Sequence, residues 1–477
     1  MTGTTGTRCG FVPPYLLQGI ARSSAQRAAA LSQDTLRVDA GFRDARRTEG
    51  SRGGFAVHTT ELGSSSTLAR VAWTVHDAER GTRLPGRPAR RAGEEATGDV
   101  AVDEAAAGID ATLRLFSEVF GRRSYDDAGA YVSLTVHYRE HYDNAFWDGH
   151  QLVFGDGDGE VFDRFTKPVD VLAHEFGHAV VDGSARLVYA DQSGALNESV
   201  ADVFAACLLQ WLAGQEADEG SWLVGEGLFL PGIRARALRD MAAPGTAYDD
   251  PVLGRDPQVG HLDDLVVTTE DNGGVHLNSG IPNRAFHLAA TRLGGRTWER
   301  AGQVWYAALV GDLVGPRSDF AGFAAATVAA AAEVLDDAAA AVVADAWTEV
   351  GVVPAVDSAA GPSRPRPTEA PRSAPVEVEP VPAAGRLCVR RSGGFTGLTT
   401  SAELDLAALP PEVRAGELAE LVDAARRVRV QPDPPVPDAF VYTFELPGLE
   451  PLCVPETALT GELRRLADLV AELGGPA

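Results

Sequence analysis

The residues best suited to chemistry are those of His174-Glu-Phe-Gly-His178. Two histidines four apart on a helix project from one face, a turn apart, so their ring nitrogens converge on one point. Zinc accepts imidazole nitrogens and, in catalytic sites, keeps a position for water. Glu175 lies between the two and can face that water. The competing reading is a helix carrying two satisfied structural histidines. Downstream residues weigh against it. A catalytic zinc usually needs a third protein ligand, and Asn197-Glu-Ser-Val-Ala-Asp202 offers Glu198 and Asp202, four apart and on one helical face. One can bind the ion while the other accepts a hydrogen bond from a ligand imidazole and fixes its tautomer. An acidic helix face is ordinarily solvated, but Val200, Ala201, Val203 and Phe204 make this one largely apolar. A third cluster, Asp271-Asn-Gly-Gly-Val-His276-Leu-Asn-Ser-Gly280, is rich in turn formers and precedes a helix. Asp271 and His276 there make either an oriented pair able to stabilise an oxyanion or an incidental loop contact.

These groups need rigid elements to hold them. Tyr131-Val-Ser-Leu-Thr-Val-His137 alternates and is rich in β-branched residues, which predicts a strand. After about residue 168 the apolar spacing becomes three and four, predicting helices over 169–181, 198–212, 281–293 and 324–350. Strands first and helices second predict an α+β arrangement of two lobes, with a site in the cleft between them.

The chain has 477 residues, enough for several domains. Its 67 acidic against 42 basic residues give a net charge of -25, which argues against a nucleic-acid partner. No apolar run reaches the ~18–20 residues of a membrane span. The first residues lack a cationic stretch followed by an apolar core. The expected location is therefore cytoplasmic, or outside the cell by a signal-independent route. Residues 356–383 hold seven prolines among Ala, Glu and Arg and predict an extended linker. Four scattered cysteines exclude a disulfide framework; Cys388 and Cys453 share the tail, and their pairing is left open.

With these residues in view, the block of about 70–353 resembles the thermolysin-like zinc metalloproteases, in their protealysin-type branch. The matching stretches are Asn144-Ala-Phe-Trp147, Gly155-Asp-Gly-Asp-Gly159, His174 to His178, Asn197 to Asp202 and Asp271 to Gly280. The resemblance implies a two-lobed α+β fold, β-rich then helical, and an endopeptidase. His174, His178 and Glu198 would bind zinc, with Asp202 behind His174. Glu175 would be general base and proton shuttle; Tyr189 and His276 would stabilise the oxyanion, Asp271 orienting His276. Asn144, the Ala145 carbonyl and Arg239 would hold the substrate backbone. Phe162, Phe165, Val171 and Leu238 would line an apolar pocket, so that cleavage falls before large hydrophobic residues. One departure concerns calcium. Asp170 and Glu226 fit the family's double calcium site, but Leu209, Ser221 and Leu223 stand where acids are expected. Calcium prefers six to eight oxygens, so the double site reads as degraded, and a single calcium elsewhere is left open.

Two flanking pieces resemble restraints. Residues 1–70 are similar to a protealysin-type propeptide, with Pro13-Pro-Tyr-Leu-Leu17 as signature. Its prolines predict an extended segment lying in the cleft and cut poorly, so Pro13, Pro14 and Tyr15 form the inhibitory motif. Cys9 is either a thiolate for the zinc or a buried apolar anchor. Self-cleavage is expected near residues 45–70. The tail, 385–477, resembles emfourin, a small inhibitor of protealysin-like enzymes. That resemblance is carried by Arg390 to Leu398, Leu409-Pro-Pro411 and Phe440 to Phe444, with Val413, Leu418, Leu421, Val422 and Ala425 on one helical face. Linker residues 354–384 separate the tail from the protease block of 71–353. The expected function is a zinc endopeptidase made as a zymogen, acting on protein or peptide substrates, with its own propeptide and tail as intramolecular inhibitors. The alternative is a binding protein whose protease block is held shut.

Overall fold

The computed structural model describes residues 10–49 and 71–354, and in the tail 386–393, 400–406, 418, 422, 440–446, 452–455, 463, 466, 467, 470, 475 and 476. The Pro-rich linker, Cys9 and the expected self-cleavage stretch beyond residue 49 lie outside these. The chain forms two units, 4–359 and 360–477 (with residues 1–3 grouped to the second).

In the larger unit, two helices lead: α1 (Pro14–Ala21) and α2 (Gln26–Glu49). A five-stranded sheet follows, with β1 (Trp73–Asp77), β2 (Arg87–Arg91), β3 (Val132–Val136), β4 (Ala145–Trp147) and β5 (Gln151–Phe154) in the order β2-β1-β3-β5-β4. Strands β1, β3 and β5 run parallel, while β2 and β4 are antiparallel edges. The parallel strands are buried on both faces, with Val75, Leu134 and Leu152 each 0% exposed. Between β2 and β3 runs α3 (Val100–Glu118), capped by Asp99, whose side chain accepts from the Ala101 and Val102 amides.

The helical part comprises α4 (Val169–Asp182), α5 (Asp191–Ala213), α6 (Asp271–Asn278), α7 (Gly280–Leu293), α8 (Ala301–Val310), α9 (Phe320–Val334) and α10 (Asp337–Glu349). Two ribbons, β6 (Leu223–Val224) with β7 (Arg239–Asp240) and β8 (Asp249–Asp250) with β9 (Gly254–Arg255), lie between α5 and α6. The strand expected at 131–137 and the helices at 169–181, 198–212 and 281–293 are present. The single helix expected over 324–350 is two. Asp336 accepts from the Ala339 amide at 2.7 Å and starts α10 anew, and Trp347 donates to Thr327 across the break at 2.9 Å. Apolar periodicity alone does not register such a cap.

The N-terminal segment also departs from expectation. Extended backbone ends at Pro13 (φ -63°, ψ 146°), and Pro14 opens α1. Proline suits the first helical position because that amide is unsatisfied anyway. Tyr15 therefore lies in a helix, where its phenol neighbours Tyr248 and Asp256, and is not part of an extended strand.

The smaller unit contains a sheet of β10 (Arg386–Gly393), β11 (Thr400–Asp405), β12 (Phe440–Glu445), β13 (Leu452–Pro455) and β14 (Gly475–Pro476), in the order β13-β12-β10-β11-β14. Leu418 and Val422 are helical and buried with Leu387, Phe444, Val454 and Leu466. Leu409 to Val413, Leu421 and Ala425 lie outside the described residues. Cys388 faces Glu445 on β12 and Cys453 faces Thr443 from the other side, so a whole strand separates them. Two strand spacings, roughly 10 Å, exceed the ~7 Å limit for a disulfide, and Cys388 is a free thiol.

One electrostatic clamp ties the sheet to its loops. His137 contacts Asp156 at 2.9 Å through Nδ1 and Asp99 at 3.2 Å through Nε2. The Asp156 hydrogen bond, with Asp99 assisting and burial opposing, raises the imidazole to about 9. A raised histidine stabilises the fold fully below its unfolded value of about 6.5, and that gain disappears as pH climbs through the folded value. We expect His137→Gln to lower unfolding stability by roughly 2 kcal/mol at pH 6, after allowance for partial exposure. It should also remove the decline between pH 6.5 and 9, measured by denaturant titration at several pH values. Equal pH profiles would refute the clamp.

Candidate metal centre and cleft

Helix α4 presents His174 and His178 to α5, which presents Glu198 and Asp202. The helices approach this closely because residue 177 is glycine. A Cβ there would stand 2.8 Å from the Ala201 backbone, so any side chain would push the histidines away from Glu198. His174 and His178 Nε2 lie 3.0 Å apart, and each is 3.5 Å from a Glu198 oxygen. Among the described residues this is the only group of three His, Cys, Asp or Glu able to hold a metal ion.

The chemistry of the donors fits a cation. His174 Nδ1 meets Asp202 at 2.8 Å and His178 Nδ1 meets Asn197 at 2.8 Å. With both Nδ1–H groups donating, both Nε2 atoms carry lone pairs, aimed at one another and at a carboxylate. Such an arrangement is repulsive without a positive charge at its centre. Separations of 3.0–3.5 Å suit ligands each ~2.0–2.2 Å from zinc. Asp202 is held at about 2: burial opposes its ionisation, and Arg239 and His174 overcome that. Arg239 donates to both Asp202 oxygens at 2.8 Å, and Asn283 adds a third bond.

Glu175 is fully buried. One oxygen accepts the Trp147 amide at 2.8 Å, and the other has no hydrogen-bond partner. Burial, with the nearby Glu198 charge, pushes Glu175 up to about 8, while His174 and the Trp147 amide act in the opposite sense. Tyr189 donates to Glu198 and lies 3.4 Å from His276 Nε2. Asp271 contacts His276 Nδ1 at 2.6 Å and accepts its amide at 3.0 Å. Burial disfavours the His276 imidazolium, but Asp271 and Glu198 raise its proton affinity. The stretch expected to be a loop before a helix is itself α6, interrupted by positive φ at Asn272, Gly273 and Gly274.

The cleft between β4 and these helices is filled by the chain itself. Gly10 pairs antiparallel with Phe146 on the β4 edge. The Phe11 amide donates to the Ala145 carbonyl at 2.9 Å, and the Val12 amide to Asn144 Oδ1 at 2.8 Å. Asn144 Nδ2 returns a bond to the Val12 carbonyl at 3.3 Å, and Arg239 reaches the Phe11 carbonyl at 3.2 Å. The Gly10 carbonyl lies 3.2 Å from His276 Nε2. The segment is laid on the β4 edge as in β-augmentation, held by one main-chain bond and by the Asn144, Arg239 and His276 side chains. The Phe11 ring lies edge-on to His174 at 5.1 Å and under Arg239 at 4.8 Å.

Of the expected pocket residues, Leu238 lies beside Gly225, which also faces the Phe11 ring. Phe162, Phe165 and Val171 are buried in the same apolar core. Asp170 is buried and accepts the Gly225 amide at 2.7 Å, whereas Glu226 is exposed and accepts from Ser221 at 3.4 Å. Asn197, Asn283, Gly225 and Phe11 were missed by sequence reasoning. Only Asn197, adjoining Glu198, carried a positional hint. The others become partners through folding alone.

Comparison with known proteins agrees with this geometry. The thermolysin metallopeptidase catalytic-domain model matches residues 51–182, and the thermolysin alpha-helical-domain model matches 185–352. An extracellular metalloprotease of Pectobacterium carotovorum is 42% identical over 344 residues, covering 72% of this chain and 96% of that protein. The chain belongs to the thermolysin family of metallopeptidases. Protease PrtS of a Photorhabdus strain is also 42% identical, over 72% of this chain and 92% of its own length. The precursor of protealysin, a metalloproteinase from Serratia proteamaculans, superimposes with a TM-score of 0.65 at 43% identity, over 72% of this chain and all of its own. The Emfourin family model matches residues 389–471 of the tail. Membership of the thermolysin family implies zinc, and His174, His178 and Glu198 form the group that suits it. The two-lobed fold expected of the family, β-rich then helical, is present. No helix among the described residues is long and apolar enough to cross a membrane.

Proposed function

We propose that this thermolysin-family metalloprotease is made as a zymogen and cuts before large hydrophobic residues, with Glu175 as its general base. The observation that carries the reading is the Gly10–Val12 backbone on β4, hydrogen-bonded to Asn144, Ala145 and Arg239 with the Gly10 carbonyl at His276. A substrate strand would use the same contacts, and Phe11 would mark the pocket after the cut bond. In this reading zinc, held by His174, His178 and Glu198, supplies a Lewis acid that eases deprotonation of water and draws charge from a carbonyl. Glu175 takes the proton and returns it to the departing amine. Tyr189 and His276 donate to the oxygen on which charge develops, with Asp271 holding the imidazole. Asp202 fixes the His174 tautomer. The double calcium site has no proposed role, since Leu209, Ser221 and Leu223 stand in place of acids.

The proposed division is a propeptide to residue 70, a protease domain over 71–353, a linker over 354–384 and an emfourin-like domain over 385–477. Once the propeptide is removed, casein hydrolysis is expected to appear, stop with a zinc chelator and return with zinc. A peptide library should show cuts before Phe or Leu. Cleavage chiefly after basic residues would overturn the pocket assignment. Inertness toward casein with zinc bound would favour the alternative, a protease block held shut as a binding protein.

The 28 Pro-rich residues of the linker, 356–383, would span up to roughly 85 Å in polyproline form, and tethering would give an effective concentration of order millimolar. Inhibition by the tail in cis is therefore feasible. Cutting at residue 356 should raise turnover of a small peptide several-fold; an unchanged rate would exclude it.

A further inference from the structure

Among the described residues outside the metal centre, two buried carboxyl groups have unsatisfied oxygens. Asp143 is 0% exposed, and its carboxyl has no well-formed hydrogen bond, only the approach of the Asp158 amide. Asp158 is 1% exposed: one oxygen accepts the amides of Glu160, Val161 and Phe162, and the other has no partner. A buried anion without a partner is costly, and two carboxylates in one site do not both ionise readily.

What covers Asp143 is the N-terminal segment. Thr35 of α2, itself 2% exposed, accepts the Asp143 amide at 3.3 Å. One helical turn on, Asp39 accepts the Tyr142 hydroxyl at 2.7 Å and Asn144 Nδ2 at 3.1 Å, clamping the residues on either side of Asp143. Val38 packs on the cluster of Tyr138, Tyr142, Phe146 and Val153. The charges that reach Asp143 are Asp158 from the 155–159 loop and Asp39 from α2, both acidic. Among the described side chains of these elements, Asp156 is engaged with His137, Arg27 with Glu160, and Arg37 with Asp34. Burial, then the Asp158 charge, holds the Asp143 carboxyl well above the ordinary range, only partly countered by the Asp158 amide.

We propose that Asp143 is protonated beneath α2, so that the N-terminal helices seat with uptake of that proton and are released as pH rises. The direction follows from linkage. With α2 lifted, Asp143 meets water and reverts toward an ordinary carboxyl near pH 4. Above that value the unseated form holds fewer protons than the seated one. Seating therefore weakens with rising pH by up to tenfold per unit for one proton, levelling off once the seated Asp143 also ionises. The inference rests on reading these helices as a docked propeptide, but it concerns their seating and not their effect on proteolysis.

The test is amide hydrogen exchange of α1 and α2 in the full-length Glu175→Ala chain, which cannot process itself, from pH 5 to 8, corrected for intrinsic exchange. With Asp143 present, protection should fall with pH, by up to tenfold per unit. Asp143→Asn should flatten the profile and leave at least tenfold more protection at pH 8. Should that variant fold poorly, Asp158→Asn keeps the three amide bonds, puts an amide donor opposite Asp143 and should flatten it equally. Parallel slopes in the parent and either folded variant would overturn the proposal. So would a gain of protection on adding calcium chloride at pH 8 that requires Asp143, since a cation would then occupy the pair. Casein hydrolysis by chain lacking the propeptide is independent of either outcome.

Discussion

Glu175→Gln should leave the chain folded and able to bind zinc while lowering kcat on a peptide substrate by ~10²–10⁴-fold, the range of a lost general base. The amide keeps the shape of the side chain and its bond from the Trp147 amide, but it cannot accept a proton from water. The unpartnered oxygen of Glu175 is the atom positioned to do so. Because the group makes no bond to the Gly10–Val12 segment, KM should change far less than kcat. Metal analysis and steady-state kinetics on propeptide-free enzyme decide it. A variant retaining more than a tenth of wild-type kcat would remove Glu175 from the mechanism.

Arg239→Met should cost about 3–5 kcal/mol of stability, the usual consequence of breaking a buried ion pair from one side. Arg239 is 1% exposed and Asp202 0%. Removing the guanidinium takes both of its bonds to Asp202, leaving a buried carboxylate with His174 and Asn283 as partners. Zinc affinity should fall as well, because Asp202 holds the His174 ring. Arg239→Met combined with Asp202→Leu should recover a good part of the stability but not the zinc affinity. Denaturant unfolding and competition with a zinc chelator separate these two effects. A loss below about 1 kcal/mol would mean that the pair contributes little.

Much of this site could be read from sequence because its geometry is local. His174 and His178 share a face by helical periodicity, as do Glu198 and Asp202, so the spacing offered one pair of imidazoles and one pair of carboxylates. The convergence of the helices could not be read in this way: it depends on Gly177 meeting Ala201, a contact between segments. The same limit applies to Arg239. Its role toward a backbone carbonyl was legible only by resemblance, and its bonds to Asp202 by neither route. The break between α9 and α10 was hidden because an alanine-rich sequence keeps its apolar period through Asp336. The helical state of Pro14 and Tyr15 was missed because a proline pair was read as extended backbone, although the second proline is a favoured helix start.

The N-terminal strand on β4 carries a consequence for how such a chain can change over time. In the proposed reading, restraint and turnover would depend on the same Asn144 amide, Ala145 carbonyl and Arg239 guanidinium that hold residues 11 and 12. Any change in these three that loosens the plug also loosens the grip on a client protein. Selection for faster or slower maturation must therefore act away from the cleft, on the far helix where Thr35 and Asp39 close over the sheet. Variation in activation among relatives should concentrate there, while the mouth of the cleft stays fixed.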